Sequence, residues 1–510
     1  MSGRTVVLTG GTAGIGAALT AQLRNRGDRV VVVGRRAARE DAIAVDLQDA
    51  DAAAFVEREL RRIGVSSWDL LIHNAGVGWV GAFTTQSSDS IRMILEVNAW
   101  APIALAHRLS SMASPKARVL FVSSPTAHLP SPDYAVYAAS KAAIEAFARS
   151  LRAERVGLEI QVVRPGATVT ELLTDTDAAS LAVSKSRFAT AETTASRMMR
   201  RINGRPKWSS TDPASKFVVG LHRWGDSHWL RRAPRIPWPS DLLATPNDKG
   251  PMRALITGAG GGIGRALALR FSQAGFAVVG IDCDEERLQE TVRLLEQTGG
   301  RASPIVHDLS DTYTTPRLVE LLSRYAPFDV VIHNAGINRF GRFPHTNLDE
   351  QRRVFDVNLL TPVLLTRELL ANGLLAKGCR LGFVSSLSHF VGYPGSAVYA
   401  ATKSGLASFA ASLAAVGPSI GFSATTIFPG PTNTRQAREN SPDNAREDRR
   451  MEPRALAQKI VRAMMRRQSI LVPGLANWIA ASLGKRFPGL SDAVMRKALL
   501  PSNQRGRAVE

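Results

Sequence analysis

Cysteine is nearly absent: Cys283 and Cys379 are the only two in 510 residues. They supply neither a disulfide framework nor a metal-ligand cluster, which fits a metal-free protein of a reducing compartment, the cytoplasm. Long apolar runs are missing too. No stretch approaches the roughly 18 uninterrupted apolar residues of a bilayer span, so no transmembrane segment is expected. The chain enters a β-branched run by Thr5, so no signal peptide is expected. Acidic residues are in deficit, 44 against 64 Lys and Arg, for a formal net charge of +20. That balance raises nucleic acid as a partner. The arginines, however, are scattered over many helical patterns, and no nucleic-acid-binding motif accompanies them, so no nucleic acid is expected. Spread basic charge fits solubility, steering of anionic substrates or loose membrane-surface contact.

What the chain does have, it has twice. Thr9-Gly10-Gly11-Thr12-Ala13-Gly14-Ile15-Gly16 is matched by Thr257-Gly258-Ala259-Gly260-Gly261-Gly262-Ile263-Gly264. Each follows an apolar run and opens a helical pattern. The length exceeds what one core serves, and the duplication divides it into 1–231, a spacer at 232–250 and 251–510. Pro234, Pro237, Pro239 and Pro246 lack donor N–H groups and make the spacer read as extended. Short β-branched runs (Val30–Val33, Leu70–Ile72, Val119–Val122, Ile160–Val163) alternate with helical patterns. The expected fold is therefore α/β: two tandem Rossmann-like, doubly wound parallel sheets. From Gly34 to Asp46 is 12 residues, whereas from Asp282 to Asp308 is 26. Copy one has lost most of a crossover helix there.

The glycines define a nucleotide site. Gly10 and Gly258 permit the tight turn, Gly14 and Gly262 let backbone approach a pyrophosphate, and Gly16 and Gly264 let helix pack on strand. The helix N-terminus then offers N–H groups to phosphate. Cofactor choice is read at the end of the second strand. Asp282 can hydrogen-bond an adenosine ribose 2′-hydroxyl and repel a 2′-phosphate, which selects NAD(H) in copy two. The matching position in copy one is Gly34, followed by Arg35 and Arg36. Glycine leaves room for a 2′-phosphate and guanidinium groups can grip it, which selects NADP(H). The bland alternative is a capping aspartate and two solvated arginines.

His-Asn-Ala-Gly follows an apolar strand in both copies and places Asn74 and Asn334 at strand ends, beside the adenine ribose, while His73 and His333 pack under the sheets. Asn98 and Asn358 lie in helical patterns, where asparagine has no propensity advantage. Ser124, Tyr137 and Lys141 then match Ser386, Tyr399 and Lys403: serine precedes tyrosine by 13 residues and lysine follows it by four. Of six tyrosines only these two have lysine at +4, a spacing that puts phenol and ammonium on one helix face. An adjacent ammonium favours the phenolate, so the tyrosine exchanges a proton with an alcohol or carbonyl while serine holds the substrate oxygen.

This pattern, through Pro165-Gly166 and Pro429-Gly430, resembles the short-chain dehydrogenase/reductase superfamily over about 190 residues of each copy. The resemblance implies that Asn98 and Asn358 complete catalytic tetrads by holding a proton-relay water. It also implies that Lys141 and Lys403 bind nicotinamide-ribose hydroxyls, that Asp46 and Asp308 touch adenine, and that Thr170 and Thr434 meet the nicotinamide carboxamide. Pro431, directly after Gly430, departs from the pattern and is expected to reshape the second substrate loop.

The substrate-facing segments, 167–194 and 431–452, read as lids. Arginines in the second admit an acyl-thioester or phosphorylated substrate, or simply a solvated loop. From about 473 an amphipathic basic tail (Trp478, Ile479, Leu483, Phe487) fits packing against copy one or a partner subunit, and allows peripheral membrane contact. The expected activity is hydride transfer between nicotinamide cofactors and a small-molecule secondary alcohol or ketone. NAD-dependent oxidation coupled to NADPH-dependent reduction would give epimerisation or redox isomerisation. A duplicated ketoreductase and a nucleotide-sensing protein without turnover are the alternatives. The halves are expected to pair internally or in a homo-oligomer.

Overall fold

In the computed structural model, the residues described are 3–36, 41–154, 156–168, 188–204, 208–224, 242–245, 250–439, 447 and 450–499. Thr170, most of the first lid, part of the second and most of the spacer lie outside them. In copy one, β1 (Thr5–Thr9), β2 (Arg29–Val33), β3 (Ala42–Ile43), β4 (Trp68–His73), β5 (Ala113–Val122), β6 (Glu159–Arg164) and β7 (Ser209–Ser210) form one parallel sheet in the order 3-2-1-4-5-6-7. Copy two repeats it with β8 (Arg253–Thr257), β9 (Ala277–Asp282), β10 (Ala302–Val306), β11 (Phe328–His333), β12 (Leu375–Val384), β13 (Ser423–Ile427) and β14 (Ile470–Leu471), in the order 10-9-8-11-12-13-14. The central strands are near-continuous β-branched runs because helices cover both faces.

Those helices are, in copy one, α1 (Gly14–Arg24), α2 (Ala52–Arg62), α3 (Ser88–Leu95), α4 (Ala101–Arg108), α5 (Ala135–Glu154), α6 (Ala191–Ile202) and α7 (Pro213–Trp224). In copy two they are α8 (Gly262–Gln273), α9 (Glu285–Glu296), α10 (Thr315–Ser323), α11 (Leu348–Phe355), α12 (Thr361–Ala371), α13 (Ala397–Ile420), α14 (Arg435–Glu439) and α15 (Pro453–Met465), followed by α16 (Leu475–Arg486) and α17 (Pro488–Leu499). The crossover α9 has no helical counterpart among the described residues between β2 and β3. In each sheet the chain builds outward from β1 or β8 on one side and then reverses to the other. The crevice at that reversal is where this architecture binds ligands.

One apolar core runs through both copies. Side chains beneath the two sheets join across α5 and α13, which lie against each other. Phe83 meets Phe409 edge-on at 5.0 Å between ring centres, and Trp100 lies 5.6 Å from Phe355. Charge ties the rim. The Arg352 guanidinium donates to both oxygens of Glu96 at 2.7 and 2.6 Å and to Asp356 at 2.8 Å. Buried Glu154 of α5 accepts from the main-chain N–H of Phe343 (2.6 Å) and of Gly395 (3.1 Å) in copy two. A piece of the spacer is also more than a tether: Ala244 exchanges main-chain hydrogen bonds with Leu375 and Lys377 beside β12.

Candidate active sites

Each glycine turn is shaped by its own backbone. Gly10, Gly14, Gly258 and Gly262 have φ of +69°, +49°, +68° and +54°, which side chains other than glycine's rarely adopt. A Cβ on Gly16 would sit 1.9 Å from the Gly10 carbonyl oxygen, and one on Gly264 equally close to Gly258. The third glycine therefore admits the turn itself, more than helix packing on strand. Neither α1 nor α8 has a side-chain cap, so the N–H groups of their first turns, beside Thr12–Ile15 and Gly261–Ile263, point at the crevice without a side-chain acceptor. This cradle fits a pyrophosphate. Asn74 and Asn334 hold it from the neighbouring strand, each amide donating to the two carbonyls that open the turn, Thr9 and Gly10 or Thr257 and Gly258.

At the end of β9, Asp282 accepts from Gly260 N at 2.8 Å and from Asp284 N at 3.1 Å, so its carboxylate faces the turn. A residue that sequence reasoning missed lies beside it. The Arg287 guanidinium packs against Gly261 and brings a cation to the pocket assigned to rejecting phosphate. In copy one Gly34 leaves open space, and Arg35 and Arg36 are exposed. Asp46 and Asp308 each accept from the N–H two residues on, at 3.0 and 2.8 Å, so both carboxylates brace their own loops. Thr434 sits over the start of α8 beside Gly262. After each Pro-Gly the loop starts alike: Thr168 donates to the Gly166 carbonyl at 2.9 Å and Thr432 to that of Gly430 at 3.0 Å. Among the described residues Pro431 leaves this first step unchanged. Asp212 and Asn477 close over Gly166 and Gly430 respectively, and no sequence pattern pointed to either.

The serine, tyrosine and lysine of each triplet converge at the mouths of β5 and β12. Ser124 and Ser386 follow those strands and hydrogen-bond the phenols of Tyr137 and Tyr399. Lys141 donates to the Val122 carbonyl at 3.1 Å and Lys403 to that of Val384 at 3.0 Å, which anchors both ammonium groups under the phenol rings. Their nitrogens lie 5.6 and 5.8 Å from the ring centres. Gly76 and Gly336 are in the same cluster, each next to its lysine and asparagine.

Asn98 and Asn358 sit in single π-helical turns, Glu96–Trp100 and Asp356–Leu360, a feature frequent at functional sites. Each amide makes three hydrogen bonds. Asn98 accepts from Val77 N and donates to Val77 O and Ser140, all within 3.1 Å. Asn358 does the same with Ile337 and Thr402 within 3.2 Å.

Burial reverses the expected protonation. It pushes the Tyr137 phenol up to about 12, with the Ser124 hydrogen bond opposing and Tyr134 adding. Tyr399 is likewise raised to about 12 by burial and Tyr393, against the pull of Ser386. Burial pulls Lys141 down to about 8, with Glu145 opposing, and Lys403 to about 8. The resting phenols are thus protonated rather than poised as phenolates. His73 and His333 stack on Phe121 and Phe383 at 4.9 and 5.1 Å under the sheets, as their buried strand ends suggested.

The copies differ behind Lys141 and Lys403. In copy one, buried Glu145 binds the Arg164 guanidinium at 2.7 and 2.6 Å, Ser123 at 2.6 Å and His128 at 3.0 Å. Counting from the matched Ser, Tyr and Pro-Gly, copy two has Ala407, Phe428 and Phe390 there, with the two phenylalanine rings 4.8 Å apart. Sequence reading passed over this charge-for-apolar exchange.

With this geometry in place, residues 4–180 and 252–445 each match the family model for short chain dehydrogenases. The chain belongs to this family. Relatives include an uncharacterized oxidoreductase of Thermotoga maritima, 31% identical over 182 residues, covering 35% of this chain and 71% of that protein. A 1-deoxy-11-beta-hydroxypentalenate dehydrogenase of Streptomyces exfoliatus is 34% identical over 186 residues, covering 36% and 67%. The 3-oxoacyl-[acyl-carrier-protein] reductase of Thermotoga maritima is 32% identical over 153 residues, covering 30% and 62%. Each alignment thus spans about one copy, and part of the relative's own length. An N-terminal ketoreductase from a macrolactin assembly line shares the fold over 92% of this chain and 86% of its own, with a TM-score of 0.59 at 14% identity.

Proposed function

We propose that the chain is a two-site oxidoreductase acting on secondary alcohols or ketones, NADP(H) serving copy one and NAD(H) copy two. The observation that carries this reading is the repeated cluster of serine, tyrosine and lysine beside a glycine cradle that only glycine can form. A bound nicotinamide dinucleotide would supply or accept hydride. The chain does the rest. Ser124 or Ser386 holds the substrate oxygen, and Tyr137 or Tyr399 gives it a proton in reduction and takes one in oxidation. Lys141 or Lys403 steadies the resulting phenolate. With the asparagine amides occupied, a relay water would bind their main-chain carbonyls.

Oxidation at copy two coupled to reduction at copy one would invert or move a carbonyl. Protonated resting phenols in both copies favour a second reading, a duplicated ketoreductase, in line with the relative named as an acyl-carrier-protein reductase. Product analysis of Tyr137→Phe and Tyr399→Phe with both cofactors separates them. Each variant should lose its own half-reaction by a factor of about 10²–10⁴. The coupled scheme fails if either variant still completes the whole conversion. Asp282→Ala should admit NADP(H) to copy two, all the more with Arg287 beside it, and Arg35→Ala should weaken NADP(H) at copy one only. Equal binding of one cofactor at both sites would end the split.

A further inference from the structure

The apolar face of the tail is not where the chain packs. Leu475, Trp478, Ile479 and Leu483 recur at helical spacing along α16, and Phe487 between the helices and Leu490 and Val494 of α17 continue the stripe. Their exposures run from 44% at Ile479 to 73% at Leu475. The helices dock through their other sides. Ala481 and Gly484 are buried, the latter against the Phe390 carbonyl, and Asp492 binds Arg149 of α5 at 2.8 Å. The tail does lie on copy one, but with its apolar stripe outward, the reverse of an ordinary surface helix. Helix α7, which packs against α16, adds Phe217 at 66% exposure. Eight of the thirteen large hydrophobic side chains exposed among the described residues are these, a concentration that marks an interaction surface.

Charge decides the occupant. Between 475 and 499 stand Lys485, Arg486, Arg496 and Lys497 against one acid, Asp492, which Arg149 already holds. A second copy seated on this face across a twofold axis would set like charges together. An anionic bilayer complements both the apolar stripe and the basic flanks. We propose that α16 and α17 dock the protein on an anionic lipid surface, the apolar side chains entering the headgroup boundary and the basic ones meeting lipid phosphates. The turn after Ser386 packs on α16 and the turn after Ser124 on α7, so both substrate-side turns lie next to that surface.

The test uses the full chain in vesicle co-sedimentation. Vesicles of phosphatidylcholine with about a third phosphatidylglycerol should bind it, those of phosphatidylcholine alone much less, and added salt should weaken binding. Trp478→Ser/Phe487→Ser/Leu490→Ser should reduce partitioning at least about tenfold. Because these side chains are exposed, circular dichroism and melting should be unchanged. Lys485→Gln/Arg486→Gln should reduce binding on anionic vesicles only, and serves as the check if the triple variant misfolds. The proposal is overturned if the native chain ignores anionic vesicles, or if neither variant changes binding. It is also overturned if the triple variant binds normally but turns a dimer into a monomer in sedimentation, which would make a second copy the occupant.

Discussion

The cluster around Glu145 can be broken in a way that copy two already shows how to repair. Glu145 and Arg164 are 4% and 3% exposed, and the carboxylate makes two bonds to the guanidinium, one to Ser123 and one to His128. Burial alone would raise the Glu145 carboxyl; Arg164 and His128 overcome it and hold the group well below the ordinary carboxylate range. Glu145→Ala leaves a guanidinium buried without its counter-charge, a change that costs about 3–5 kcal/mol. For a domain of this size that lowers Tm by about 6–20 °C. Six of the eight tryptophans lie within residues 1–231, so tryptophan fluorescence during melting or urea titration reports mainly on copy one. The triple variant Glu145→Ala/Arg164→Phe/His128→Phe reproduces the apolar set of copy two. It should recover to within about 1 kcal/mol of the native chain, because well-packed apolar groups replace a buried ion pair at little cost. The sign with pH follows from the lowered carboxyl: its stabilisation is present above its ordinary value of about 4.5 and is lost as pH falls through the lower folded value. The gap between the native chain and Glu145→Ala should therefore narrow in acid. If the single variant melts within 1–2 °C of native, or if the triple melts no higher than the single, the account of this cluster is wrong.

The glycine turns give a sharper binding result. Gly16→Ala or Gly264→Ala pushes a methyl group into a carbonyl 1.9 Å away, and calorimetry should find dinucleotide binding lost at that site and kept at the other. In carbonyl reduction, kcat/KM should fall about tenfold per pH unit above about 8, where Lys141 and Lys403 give up the charge they carry at lower pH; a profile flat to pH 10 would show that the ammonium charge is not required. Between the copies, Arg352→Ala should lower the urea midpoint clearly, since it frees Glu96 and Asp356 at a largely buried seam. Arg339→Ala removes an exposed pair with Glu350 and should cost less than about 1 kcal/mol.

The two sheets and the convergence of both serine–tyrosine–lysine triplets were legible because each signal is local: a glycine turn after a strand, or a lysine one helical turn beyond a tyrosine. The π turns at Asn98 and Asn358 were not, since a single inserted residue is hidden by the 3.6-residue period on either side of it. Charges that close the seam between copies (Glu96, Glu154, Arg352) carry no local signal, because their partners in the other copy stand 189 to 256 residues away along the chain. The protonation of the tyrosines was misjudged for a related reason. Spacing revealed the neighbouring cation, but burial, the largest influence on both phenols, depends on the folded surroundings of the helix.

The two copies serve as internal controls for one another. Lys141 and Lys403 rest on equivalent carbonyls, Asn98 and Asn358 clasp equivalent backbone, and the third glycines face the same contact at 1.9 Å. Around this shared frame, Gly34 stands against Asp282, a short link against α9, and an ionic cluster against a phenylalanine pair. These differences lie at the end of the second strand and behind Lys141 and Lys403, not among the serine, tyrosine and lysine themselves. A non-catalytic nucleotide sensor would need the glycine cradle but not two copies of a serine–phenol–ammonium cluster at matching geometry. Divergence that spares both serine–tyrosine–lysine clusters is what the proposed two-site oxidoreductase requires.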